Sequence, residues 1–207
     1  MNDKFYALSE EKQNAIINAG FKVFAGNSYK KSPVNEIALE AGISKSLLFF
    51  YFKNKKELYL FLLKKCEEVT KQMLLESGAY KGNDIFEIMY RGLLAKASMM
   101  KRYPDMGNFS IKAYYEKDPE VTNDVRKIIA PYTNMETNKI LSPMDSSQFK
   151  EGLDLNMMYR DMYLASEGYL WQMQQTGIID VDRMVADYKK IIEFWKSIYL
   201  KQTEKPD

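Results

Sequence analysis

Apolar positions recur at three- and four-residue spacing along most of the chain, and no stretch sustains the alternation of a half-buried strand. In residues 10–26, Ile16, Ala19, Gly20, Val23 and Phe24 fall on one helical face, which Ile17 and Phe21 widen. Ser32 is placed to cap a helix beginning at Pro33, because proline lacks only an N–H that a first turn leaves unpaired. That helix ends near Ala41, where Gly42 can adopt a left-handed closing conformation, and Ser44 caps the next helix at once. Two helices joined by about three residues that include a glycine form a helix-turn-helix.

By composition the run LLFFYF at 47–52 looks like a buried strand, but its position after Ser44 makes it helical. Leu48, Tyr51 and Phe52 then share a face and are expected to pack on Ile37 and Ile43, with Ala38 and Ala41 allowing close approach. Lys45, Ser46, Leu47, Phe49 and Phe50 fall on the other sides, and large apolar groups in that position need a partner. A long helix follows directly, about Asn54 to Ser77, with Leu58, Leu62, Cys66, Val69 and Met73 along one side.

Five more helices are expected near 83–102, 104–116, 118–141, 155–176 and 180–202, with Pro131 kinking or breaking the third. The 142–152 loop and the last residues are the expected sites of disorder. The 180–202 helix is amphipathic, whereas 155–176 is apolar nearly all round, with a narrow polar stripe through Arg160, Glu167 and Gln174. Such a helix is buried on more than one side, either inside a large monomer core or between a core and a subunit interface.

Composition narrows the chemistry. Of 207 residues 46% are apolar and 28% charged, enough to fill a core. No apolar run approaches the ~20 residues that span a bilayer, and the N-terminus lacks a hydrophobic signal region. The single cysteine, Cys66, fits a reducing compartment, so a cytoplasmic location without membrane association is expected. Histidine is absent, which removes a histidine base, a Ser-His-Asp or Cys-His pair and any histidine metal ligand. With no paired acidic motif and no metal or nucleotide motif, the expectation is a non-enzyme without cofactor. Residues 1–65 hold eleven basic against six acidic residues, net +5, while residues 66–207 hold nineteen against twenty-two, net −3. A basic head on a mildly acidic body suggests that the head meets a polyanion, although clustered solvated lysines give the same count.

The stretch from about Ile16 to Leu58, with IINAGFKVFAGNSY, SPVNEIALEAGIS and SKSLLFFYFKNKKELY, resembles the TetR family of bacterial transcriptional regulators. The resemblance implies an all-α fold: a three-helix, helix-turn-helix DNA-binding domain at 1–53, joined by a long shared helix to a six-helix ligand-binding and dimerisation domain at 54–207. It implies a homodimer on double-stranded DNA, with Ser44, Lys45, Ser46 and Leu47 facing the major groove and Ser32 and Lys55 reaching phosphates from helix starts. Asn35, Phe49, Phe50 and Lys53 complete the expected DNA-binding set, with Lys56 a further candidate contact. Lysine donates to guanine edges and apolar groups pack on thymine methyls, which supplies a neighbour for Leu47, Phe49 and Phe50. Four positions depart from the family pattern: Ser46 and Ser28 stand where glycine is usual, Phe49 where tyrosine is common, and Phe50 where a polar residue or histidine is frequent.

Twelve of the thirteen methionines follow residue 72, and methionine with aromatics suits either an adaptable apolar pocket or ordinary core filling. Met89, Tyr90, Met99, Phe109, Tyr114, Tyr159, Tyr163 and Trp171 are the candidate pocket residues for a lipophilic small-molecule effector. Glu87, Glu116 or Glu167 would balance a cationic one, or else be ion-paired surface groups. Tyr169, Met173, Ile191, Trp195 and Ile198 are the candidate dimer contacts. The expected function is a ligand-responsive repressor released from a near-palindromic operator. The alternative is a helical carrier or sensor of a hydrophobic molecule with a degenerate head, and an α-helical enzyme is a third class.

Overall fold

A computed structural model describes residues 3–79, 81–133, 144–175 and 179–202. Among them the chain forms ten α-helices, one 3-10 turn at Ser146–Gln148 and an isolated bridge between Phe149 and Leu200. The helices are α1 (Asp3–Tyr6), α2 (Glu10–Gly26), α3 (Val34–Glu40), α4 (Lys45–Tyr51), α5 (Lys55–Glu76), α6 (Ile85–Arg102), α7 (Pro104–Tyr114), α8 (Thr122–Thr133), α9 (Leu155–Gln175) and α10 (Val181–Tyr199). The architecture is all-α, with a helix-turn-helix at its N-terminal end and a helical remainder. Packing divides the chain into two compact units, residues 1–71 with 99–133, and residues 72–98 with 134–207.

In the first unit, α2 buries Ile16, Ala19, Gly20, Phe21, Val23 and Phe24, the stripe its spacing predicts. Glu10 and Glu11 sit in its first turn, where the helix dipole favours negative charge. It packs tightly on α5 at Gly20, where a Cβ would lie 2.6 Å from Leu62 Cδ1. Helix α3 closes with the Ile43 N–H on the Ala38 carbonyl at 2.9 Å and the Gly42 N–H on the Leu39 carbonyl at 3.0 Å. That double bond pattern needs the left-handed backbone Gly42 takes at φ 68°, where a side chain would be strained. Ser44 caps α4, its Oγ accepting the Leu47 N–H at 3.1 Å.

Two aromatic clusters fill this unit. Tyr59 of α5 packs on Phe24, Tyr29 and Phe109 with centroids 4.9, 5.1 and 5.1 Å apart. Phe5 of α1 packs on Phe52 and Phe61 at 5.1 and 5.3 Å and on Tyr51 at 6.1 Å. Cys66 is buried, which pushes its thiol up to about 11.

The second unit contains α9 and α10 with the end of α5 and most of α6. Ser166 and Tyr188 hydroxyls pair at 2.8 Å, Tyr169 donates to Asp187 at 3.1 Å and Tyr199 to Asp161 at 2.7 Å, so three hydroxyl bonds cross between α9 and α10. Met158, Met162, Met184, Tyr188, Ile192 and Trp195 are buried there.

Four expectations are corrected. Ser32 does not cap α3: Pro33 occupies the cap position, and the Ser32 hydroxyl donates to the Ser28 carbonyl at 2.8 Å. Helix α8 is not broken at Pro131 but continues to Thr133, and the expected remainder to 141 lies outside the described residues. Residues 144–152 do not form a free loop: the Lys150 N–H donates to the Tyr199 carbonyl at 3.0 Å and the Lys201 N–H to the Gln148 carbonyl at 2.9 Å. Residues 142, 143 and 203–207 lie outside the described set. Helix α9 buries only Met158 and Met162 within this chain, so of the two alternatives it is not the central helix of a monomer core.

Two glycines test the packing. At Gly107 of α7 a Cβ would stand 2.8 Å from Met100 Cγ and 3.1 Å from its Cα, whereas Gly92 of α6 has nothing within 4 Å. Gly107→Ala is expected to destabilise the protein by about 1–3 kcal/mol through overpacking. Gly92→Ala should stabilise it by about 0.5–1 kcal/mol by removing backbone freedom from the unfolded chain. Thermal unfolding of the two variants checks the opposite signs.

Candidate nucleic-acid interface

The outward side of the helix-turn-helix is assembled by burying its inward side. Leu48 and Tyr51 of α4 are buried with Ile37 and Ala38 of α3, and Phe52 leaves the helix in extended conformation with its ring also buried. Lys45, Ser46, Leu47 and Phe50 are exposed and Phe49 is half-buried. Ser44 and Ser46 hydroxyls lie 3.0 Å apart and pair with each other. Asn35 is exposed in the first turn of α3, and Lys53 reaches into solvent with its ammonium 4.0 Å from Glu57.

Two cations frame the aromatic groups. Lys4 Nζ lies 4.6 Å from the centroid of the Phe50 ring, and Lys45 Nζ lies 5.8 Å from that of Phe49. The ring faces carry negative charge density that holds an ammonium in place. Neither Lys4 nor Phe5 was marked by sequence pattern, because α1 has only four residues and spans barely one turn. Burial of Phe5 against residues that end α4 is nonetheless what anchors this edge.

Residues 16–61 match the profile TetR_N, bacterial regulatory proteins of the tetR family. That match places the head of the chain, residues 16–61, with the tetR family of bacterial regulatory proteins. The fatty acid metabolism regulator protein of Bacillus subtilis (strain 168) is 24% identical over 147 residues, covering 70% of this chain and 75% of that protein. A crystal structure of FadR from Bacillus subtilis in complex with stearoyl-CoA has a TM-score of 0.66 at 22% identity, covering 88% of this chain and 96% of that one. A TetR-family regulator from Chloroflexus aurantiacus J-10-FL has a TM-score of 0.72 at 17% identity, over 97% of this chain and 99% of that one. At such identities these structures share the fold.

Within this TetR-family head, two expected phosphate contacts change character. Ser32 is 3% exposed, so its hydroxyl serves the loop after α2 and not the surface. Lys55 is half-buried, donating to the Lys30 and Ser32 carbonyls, each at 3.2 Å, with its ammonium 4.6 Å from the Tyr29 ring centroid. An ammonium has three N–H groups, so one remains for an anion while the others hold the loop. Lys56 pairs with Asp124 of α8 at 2.7 Å. Glu116 holds the backbone: its carboxylate accepts the N–H groups of Tyr29, Lys117 and Asp118, each at 2.9 Å.

The eight candidate pocket residues divide between the two units. Phe109 is fully buried on Phe21, Phe24 and Tyr59, and Met99 is buried, so both fill the core of the first unit. Tyr114, also in the first unit, is half-buried with its ring 4.9 Å from Tyr115. Met89, Tyr90, Tyr159, Tyr163 and Trp171 belong to the second unit, Trp171 exposed and the rest half-buried. Desolvation lowers the ammonium of Lys96 in that unit even though the residue keeps solvent contact, and the Glu167 carboxylate works in the opposite direction. Among the dimer candidates, Trp195 is buried in its own unit, edge-on to Tyr188 at 6.0 Å. The exposed apolar group beside it is Phe194, 60% accessible, which sequence reading passed over. Tyr169, Met173 and Ile191 are half-buried and Ile198 is exposed.

Two variants probe this assembly. The hydrogen bond and charge of Lys56 hold the Asp124 carboxyl below its ordinary pKa of 3.8, so the pair's contribution is full above that value and is lost as pH falls through the lowered one. Asp124→Asn should therefore be less stable than the parent at pH 7, with the gap closing towards pH 3, as followed by urea unfolding. Phe5→Ala should cost about 3–5 kcal/mol, the range for truncating a buried phenylalanine, and a loss below about 0.5 kcal/mol would deny Phe5 its anchoring role.

Proposed function

We propose that this chain is a ligand-responsive repressor that binds a near-palindromic operator as a homodimer and is released by a long-chain acyl thioester such as an acyl-CoA. The observation that carries the effector class is the likeness to the Bacillus subtilis fatty acid metabolism regulator. Its 147 aligned residues greatly outnumber the 46 residues from 16 to 61 that match the family head, so the likeness extends into the body. The stearoyl-CoA bound to a related fold supports the same class. A flexible apolar tail suits the methionine-rich composition after residue 72.

The DNA-binding role rests on residues 1–53 and the start of α5, with Asn35, Ser44, Lys45, Ser46, Leu47, Phe49, Phe50, Lys53 and the remaining N–H of Lys55 directed at the duplex. Twofold symmetry would present two copies of α4 about one helical turn apart, or a multiple of that spacing, which is what makes the operator near-palindromic. Homodimerisation is supported by Met157, Leu164 and Trp171, exposed at spacing seven on α9, together with exposed Phe194 and Ile198 on α10. An effector inhibits only by preferring the conformation that DNA disfavours, so the coupling is reciprocal: bound DNA must weaken effector binding by the same factor. A hydrophobic carrier with a degenerate head is the reading that the aromatic residues of α4 would otherwise favour.

Selection from a pool of random duplexes at moderate salt, followed by titration with stearoyl-CoA, tests both parts. The expected result is an enriched inverted repeat whose binding is lost on adding the acyl-CoA and kept on adding CoA alone. Enrichment of a duplex that stearoyl-CoA leaves bound would reject the effector class and retain the regulator. Tight acyl-CoA binding with no duplex selected would favour the carrier.

A further inference from the structure

We infer that α4 reads its operator chiefly through the 5-methyl groups of thymine, with Leu47 and Phe50 as the reading residues; this rests on the DNA-binding role proposed above. Of the side chains that bond strongly to base edges, arginine, asparagine, glutamine and the carboxylates are all absent from Lys45–Tyr51. The serine hydroxyls use one of their two O–H groups on each other, and Ser44 also accepts the Leu47 N–H, which leaves one weak donor between them. Lys45 is left as the strong donor of the outward side, suited to a guanine edge.

Leu47 is 37% exposed and Phe50 47%, and their three-residue separation puts them on one side of the helix. The apolar group that a major groove offers to such a pair is the thymine methyl. The surroundings select DNA as the occupant. Lys4 stands over Phe50, Lys45 beside Phe49, and the Lys53 side chain is 82% exposed, so the apolar pair is framed by cations as thymine methyls are framed by phosphates. Residues 1–65 carry a net +5, which adds attraction of the same sign.

Deoxyuridine isolates this contact, because it keeps every hydrogen-bonding group of thymidine and lacks only the methyl. With the full-length chain, duplexes are selected from a random pool and each thymine of the enriched half-site is replaced in turn by deoxyuridine. Affinity should fall about fourfold for each methyl covered, the factor implied by burying one methylene-sized group. Leu47→Ala should abolish the deoxyuridine effect at one position and Phe50→Ala at another, leaving the salt dependence of binding unchanged. Equal affinity for thymidine and deoxyuridine at every position, or an enriched half-site without thymine, would overturn the inference while leaving a DNA-binding protein. Binding to anionic phospholipid vesicles with no duplex enriched would overturn the inference and the DNA-binding reading together.

Discussion

The Phe52 ring, wedged between Phe5 and Phe61 at 5.1 and 5.2 Å, is the contact on which the recognition surface depends. Phe52 ends α4 by turning extended at φ −124° and ψ 109°, and it draws the C-terminal end of the helix into the core. Ser44 fixes the other end as a cap, a contribution of about 1 kcal/mol. With both ends held, the rotation of a two-turn helix is no longer free. Leu48 and Tyr51 go inward, so Lys45, Leu47 and Phe50 must face out. Each aromatic pair in the anchor adds about 0.5–1.5 kcal/mol beyond the area it buries, and Phe5 takes part in several at once.

Polar contacts make a second frame behind that anchor. Glu116 ties the loop after α2 to the turn between α7 and α8, while Lys56 and Asp124 tie the start of α5 to α8. Lys55 closes the same loop onto α5 through two carbonyls. A basic head needs lysines for its polyanion, yet three of its side-chain positions are also structural. Lys55 and Lys56 hold the fold, and Lys4 covers an aromatic ring. Exposed ion pairs contribute little each, so the frame's value lies in fixing the direction of the loop more than in stability.

The second unit follows a different logic. Its α9 and α10 are joined by three hydroxyl bonds and a methionine-rich seam, yet both keep large apolar groups in solvent. The homodimer proposed for this chain would cover those groups, and the repeat of seven along α9 is the spacing of a helix-packing seam.

Much of the head was legible in the sequence because its information is local. Caps, a left-handed glycine and three- and four-residue spacing act within one or two turns, and Ser44, Gly42 and the Leu48–Tyr51 face behave as those rules require. The same spacing on α10 predicted an amphipathic helix, and Met184, Tyr188, Ile192 and Trp195 are indeed its buried face. Tertiary structure alone decided the rest. Periodicity says that a side chain is apolar and on a face, not what that face meets, so Phe109 and Trp195 are core where pocket and interface were expected. A four-residue helix has no period to detect, and the importance of Phe5 comes from residues more than forty positions away. Ser32 is no cap because α3 starts a residue later, with Pro33 in the cap position, and Glu116 gained a role because folding delivered the Tyr29 N–H to it. Local rules determine where helices begin and end; only the folded chain decides which neighbour each exposed or buried group finds.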